Sequence, residues 1–212
     1  MKFVSRGCWM VFRNIIYTMI VLFALCFDEL AMSQTSPTGE VKKVVDEVVS
    51  IVSSQDMKKP ENKEKRQKGL KEAIGAIFDF PEMAKLSLGR YWDERTTDEK
   101  NEFVQVFETL LENTYSKKIE SYKNEKIVYL KETVEGDSSE VKSKVVTSKR
   151  DDYAIDYRLL NKSGKWVIYD VTIEGISLVA NYRSQFDKII RSEGYSALMK
   201  KLNAKQKDIA AQ

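Results

Sequence analysis

Four stretches in the second half of the chain decide its fold: IVYLKETVE (127–135), VKSKVVTSK (141–149), YAIDYRLL (153–160) and KWVIYDVTIE (165–174). Each is rich in β-branched and aromatic residues and short enough for a strand. Turn signals divide them: Gly136-Asp137-Ser138, Arg150-Asp151-Asp152 and Asn161-Lys162-Ser163-Gly164. Loops this short predict an antiparallel meander of four strands. In the third stretch Tyr153, Ile155, Tyr157 and Leu159 face one way. Strict alternation in the fourth puts Trp166 and Ile168 on one face, with Val167, Tyr169, Val171 and Ile173 on the other. A strand apolar on both faces predicts cover on both.

Helical patterns lie on either side. Val41, Val44, Val45, Val48, Val49 and Val52 recur at three- and four-residue spacing, a first amphipathic helix. A charged stretch from Met57 to Lys71 opens a second helix after Pro60. Its Lys63, Lys65, Arg66, Lys68 and Lys71 read either as a docking patch or as a solvated face. Asp79-Phe80-Pro81 starts a third helix that Gly89 ends, with proline in the first turn. Thr96-x-x-Glu99 is a capping box opening the longest helix, where Phe103, Phe107, Leu110, Leu111, Thr114, Tyr115, Ile119 and Tyr122 share a face. Two more helices, 177–192 and 195–205, are divided by Gly194. Helices, strands, helices predict an α+β domain: a curved four-stranded antiparallel sheet wrapped by about six helices.

The chain opens with a different pattern. Lys2, Arg6 and Arg13 precede the apolar run 15–27, and Ala31-Met32-Ser33 follows with small residues at the two key positions. This predicts a secretory signal peptide, residues 1–33, cleaved after Ser33. A 13-residue run is shorter than a membrane-spanning helix needs, which disfavours an uncleaved anchor. Leu25 before Cys26 disfavours a lipoprotein. Residues 34–212 are then one domain, long enough for a full core.

Composition prunes the chemistry. There is no histidine, and the two cysteines, Cys8 and Cys26, leave with the signal peptide. Imidazole catalysis, thiol nucleophiles, disulfides and Cys- or His-ligated metals are thereby excluded. A net charge of +3 is too balanced for a nucleic-acid partner. No glycine-rich phosphate loop, nucleophile elbow or calcium loop is present. Asp170 and Glu174, near the end of the fourth strand, can be posed as a glycosidase-like pair, but read better as a salt bridge or helix cap. Ser177 likewise reads as an N-cap rather than a nucleophile. The chain keeps an abundance of amphipathic aromatics, 10 Tyr, 3 Trp and 9 Phe, able to fill a core or line a cavity for an apolar ligand.

FDFPEMA (78–84) followed by LGRYW (88–92) resembles the MlaC family, periplasmic phospholipid-binding proteins also named toluene-tolerance proteins. The likeness runs on through the Thr96–Tyr115 helix, then YRL (157–159), WVIYDV (166–171), IEGISLV (173–179), NYRSQF (181–186) and Ile189-Ile190. It covers most of residues 40–205 in the family's order. Pro81 inside the first motif and the lysine-rich second helix are this chain's own.

The resemblance implies a sheet like that of nuclear-transport-factor-2-like domains, with helices enclosing a deep apolar cavity. Lipid tails lie inside and the head group outside. It implies a soluble periplasmic carrier, monomeric, that catalyses nothing and takes no cofactor or metal. Its partners are an inner-membrane ABC transporter bearing a ring of substrate-binding domains and an outer-membrane lipoprotein–porin complex. The tail-facing wall is expected to include Phe103, Phe107, Leu111, Tyr115, Tyr129, Tyr157, Trp166, Ile168, Leu178, Tyr182 and Phe186, each of which serves equally as plain core. Lys85, Arg90 and Arg183 are expected at the head-group rim; Arg183 alternatively pairs with Asp170 or Glu174. Replacing Phe107 by Asp is expected to empty the protein while leaving it folded. Rival readings are a hopanoid carrier on the same fold, a carboxylate enzyme on that fold, and an interaction domain with a filled core.

Overall fold

The computed structural model describes residues 36–123, 125–147 and 151–210. The signal peptide and both cysteines lie outside the described residues, as does the expected end of the second strand at Lys149. Among the described residues no helix is long and apolar enough to cross a membrane.

The first helix, α1 (Pro37–Ser53), starts where Ser36 Oγ accepts from the Gly39 N–H at 3.0 Å. Its valine stripe turns Val41 and Val44 onto the sheet. A turn and a short 3-10 helix (Pro60–Asn62) lead to α2 (Lys63–Gly75). There the charged face is divided. Lys71 reaches Glu108 and Glu112 at 3.3 and 2.9 Å, and Arg66 reaches Glu120 at 3.4 Å. Those two cations tie α2 to the long helix α4 (Thr97–Glu120), Arg66 largely buried and Lys71 still exposed to water. Between them, α3 (Phe80–Leu88) is capped by Asp79 and terminated by Gly89, whose φ of +59° favours glycine. The capping box that opens α4 is reciprocal, Glu99 N–H to Thr96 Oγ1 at 3.2 Å and Thr96 N–H to Glu99 Oε2 at 2.8 Å.

The sheet is an antiparallel meander in the order β1 (Lys126–Glu135), β2 (Ser138–Val146), β3 (Tyr153–Lys162), β4 (Lys165–Ile173), β5 (Ile176–Ser177). It has five strands where four were expected. The fifth is two residues long, returning on β4 through a turn in which Glu174 and Gly175 both have positive φ, the geometry of a tight hairpin. Two residues cannot display a period, so alternation has nothing to detect.

Alternation also misassigns β4. A bulge slips the register between the Arg158–Asp170 and Leu159–Ile168 pairs, leaving Tyr169 as the extra residue. A one-residue slip flips everything after it. Val171 and Ile173 therefore join Trp166 and Ile168 on the face that carries Tyr157 and Leu159, contrary to the strict alternation. A second bulge, at Leu130, does the same to β1 and leaves that leucine 62% exposed.

The far edge of β4 is covered rather than open. Ile168 exchanges two backbone hydrogen bonds of 2.8 Å with the 77–79 segment, and Lys165 Nζ donates to Ala76 O at 2.9 Å. Lys162 pairs with Asp79 at the same corner. Beyond β5, α5 (Leu178–Glu193) and α6 (Tyr195–Ala210) complete six α-helices among the described residues.

Asp170 joins the two halves of the fold. Buried to 2% exposure, it accepts from Ser177 Oγ at 2.6 Å and from the Val179 N–H at 3.1 Å, with Arg158 at 3.7 Å. A carboxylate at a helix N-terminus is favoured by the exposed amides and the helix dipole. Asp170→Ala strands the buried Val179 N–H and removes the partner of the half-buried Ser177 hydroxyl, and is expected to lower unfolding stability by about 1–3 kcal/mol, read as a shift of the urea midpoint. An unchanged midpoint contradicts this joint.

Candidate functional site

The interior divides into two apolar clusters, and the expected wall residues divide with it. Phe103, Phe107 and Leu111 on α4, with Tyr182 and Phe186 on α5, belong to a helical cluster, and Tyr115 packs against it. Tyr157, Trp166 and Ile168 belong to a sheet cluster under α1, with Tyr129 and Leu178 against it. All eleven are therefore brought inside, but as two groups. Phe78 packs against both clusters, and its ring stacks on Phe80 at 5.9 Å.

Spacing explains the helical group. Phe103 and Phe107 lie four apart on α4, Tyr182 and Phe186 four apart on α5, so each pair presents two neighbouring rings to the other helix, stacked in the first and tilted in the second. Phe107 meets Tyr182 edge-on at 5.4 Å and Phe186 at 6.0 Å; Phe103 meets Phe186 edge-on at 5.8 Å. Edge-to-face rings gain about 0.5–1.5 kcal/mol per pair beyond their burial. Phe107 is fully buried at the centre of this array. Its replacement by Asp would place a charge among these rings, so the expectation that the variant stays folded does not survive the structure.

A few polar atoms interrupt the apolar surface. Ser143 Oγ on β2 donates to Ile155 O. Tyr129 Oη is buried and has no partner. Burial pushes the Tyr115, Tyr129 and Tyr195 phenols up to about 12 and raises Tyr157 and Tyr182 as well.

The rim candidates gather on the α3–α5 side. Lys85 and Arg183 line a surface cleft of about 220 Å³ with Leu86, Gly89, Trp92 and Asp93. Arg183 Nε donates to Leu86 O at 2.7 Å, and its stem lies over Gly89. It pairs with neither Asp170 nor Glu174, so that alternative is set aside: Asp170 faces Arg158, and Glu174 accepts from the Ala154 N–H. Arg90 bonds Asp187 at 2.9 Å and the Tyr91 hydroxyl at 2.8 Å, while Lys85 meets Glu82 at 3.3 Å. A second cleft, of about 200 Å³, is lined by residues of β1–β4 including Glu140, Arg158 and Tyr169. Neither cleft is lined by any of the eleven wall residues.

The residues posed for chemistry are occupied otherwise. Asp170 and Glu174 each hold backbone amides, and Ser177 Oγ caps α5 by accepting from the Ala180 N–H at 3.0 Å. Among the described residues no group of three or more carboxylate, thiol or imidazole side chains could hold a metal ion.

The model of the family described as "MlaC protein" matches residues 42–204, which span α2 to α5 whole, most of α1 and α6, and every strand. The chain belongs to the MlaC family. It is 22% identical over 187 residues to the intermembrane phospholipid transport system binding protein MlaC of Haemophilus influenzae, covering 86% of this chain and 87% of that protein. It is also similar to the structure of a phospholipid-binding protein from Ralstonia solanacearum in complex with a phospholipid. That likeness has a TM-score of 0.74 and 25% identity over 82% of this chain and 99% of the other.

Inference from sequence missed several residues that shape this interior. Phe78 sits in a motif of the family, yet nothing local marks it as the link between clusters. Val171 and Ile173 were turned away by the unseen bulge. Ile155 was given the correct face but not a place on the wall.

The raised phenols predict alkaline lability. Between pH 10 and 12 an unfolded chain ionises its tyrosines while Tyr115, Tyr129 and Tyr195 stay protonated in the fold. The native state then binds more protons than the unfolded one, so stability is fully present below pH 10 and falls as pH rises to 12. Urea midpoints across pH 9–12 are expected to drop, with a shallower fall in Tyr129→Phe. A flat profile contradicts the burial of these hydroxyls.

Proposed function

We propose that this protein is a soluble phospholipid carrier that moves lipid between two membranes by burying its acyl tails. The observation that carries this reading is the likeness, along nearly the whole of a relative solved with phospholipid bound, of a chain whose interior is two aromatic-rich apolar clusters. In it the tails lie along the boundary between the sheet and helical clusters, beside Phe78, with the eleven wall residues as lining. The enclosing architecture is of the nuclear-transport-factor-2-like kind. The head group lies outside, at the rim of Lys85, Arg90 and Arg183.

Physical chemistry sets the remaining features. Burying acyl chain contributes about 0.8 kcal/mol per methylene, so two chains of about 15 methylenes are held by on the order of 24 kcal/mol. Such a lipid does not escape into water unaided, so the carrier requires membrane complexes that offer it another apolar path. Those partners are an inner-membrane ABC transporter with its ring of substrate-binding domains and an outer-membrane lipoprotein–porin complex. The periplasm is the compartment between them, reached by cleavage of residues 1–33. The work needs no catalytic side chain, metal or cofactor, in keeping with carboxylates engaged in holding backbone.

Organic extraction of the purified protein tests this. Mass spectrometry is expected to return diacyl glycerophospholipids in near-stoichiometric amount. Hopanoid masses from the native host would replace phospholipid as the cargo, and an extract without lipid would leave an interaction domain with a filled core.

A further inference from the structure

Four buried hydroxyls among the described residues have no hydrogen-bond partner, those of Ser53, Ser87, Ser139 and Tyr129, and Tyr129 is the one phenol among them. Tyr129 lies on the inward face of β1, opposite Ser143 and against the sheet cluster. Its ring is half-buried, but its Oη has no accessible surface and no hydrogen-bond partner. Among the described residues no other tyrosine has a hydroxyl both buried and without a partner, and Tyr195 Oη donates to Glu99 O at 3.3 Å. Ser143, the residue directly across from Tyr129, already donates its own proton to Ile155 O. A buried O–H left unpaired is a standing penalty that native structures rarely keep without a use.

The surroundings state what acceptor it fits. Tyr129 packs against an apolar cluster, where an anionic acceptor such as phosphate would lose its hydration. A neutral carbonyl oxygen carries no such penalty. In a diacyl glycerophospholipid, the strong neutral acceptors are the acyl-ester carbonyls, which sit where the tails leave the glycerol. β1 is the outermost strand of the sheet, and Asp46, exposed on α1, lies close enough to influence the phenol. Tyr129 is therefore at the border of the apolar interior rather than in its depth, the level at which an ester would rest.

We propose that Tyr129 Oη donates a hydrogen bond to an acyl-ester carbonyl of the bound lipid, so that this protein selects ester-linked over ether-linked lipid. The proposal rests on the carrier reading and gives it a polar specificity element inside an otherwise non-directional binding surface.

The test compares delipidated wild type, Tyr129→Phe and Ser143→Ala with diacyl and dialkyl phosphatidylglycerol of equal chain length, by competition followed with native mass spectrometry. Wild type and Ser143→Ala are expected to prefer the diacyl lipid by roughly five- to tenfold, the worth of one hydrogen bond. Tyr129→Phe is expected to bind both alike, at the affinity wild type shows for the dialkyl lipid. Without lipid, Tyr129→Phe is expected to melt at or above the wild-type temperature, because the hydroxyl removed has no partner there; with diacyl lipid it is expected to melt below. A wild type indifferent to the linkage, or a Tyr129→Phe variant that keeps the preference, overturns the role of Tyr129 while the carrier reading stands. Failure of wild type to bind either lipid overturns both.

Discussion

A single buried carboxylate joins the sheet to the helices. Asp170 sits on β4 just past the bulge, takes the Ser177 hydroxyl and the Val179 amide, and so fixes where α5 begins. From that point α5 carries Tyr182 and Phe186 into the helical cluster, while Leu178 stays with the sheet cluster. The other edge contact of β4, at Ile168, holds the 77–79 segment and hence the start of α3. β4 is thus the element from which both halves of the interior are hung.

Much of this was legible beforehand, for identifiable reasons. The capping box at Thr96 and the Asp79–Gly89 limits of α3 are local chemistry, so residue type alone reports them. The meander follows from turn residues between β-rich runs. What escaped was non-local or below the length of a period. The bulges at Leu130 and Tyr169 depend on register against a neighbouring strand, and β5 is two residues long. The division of the α2 cations into solvated ones and those gripping Glu108, Glu112 and Glu120 depends on where α4 passes.

The candidate site was legible in its residues and not in its arrangement. Aromatic spacing on α4 and α5 identifies the rings that interlock, but nothing in the spacing separates them from Tyr157 and Trp166 on the sheet. Arg183 illustrates the same gap, since its bond to Leu86 O comes from the packing of α3 on α5. The lack of histidine, first an exclusion, fits a protein whose binding is the burial of methylenes. Specificity in such a surface falls to the few polar atoms it retains.

Acyl chains lying between the sheet cluster and the helical cluster would pass close to Trp166, on the sheet side and 4% exposed, which makes it the natural reporter. In the protein processed after Ser33 and carrying Trp92→Phe, phospholipid brominated midway along its tails is expected to quench Trp166 fluorescence strongly relative to the unbrominated lipid. Equal fluorescence from the two loaded proteins would contradict the account.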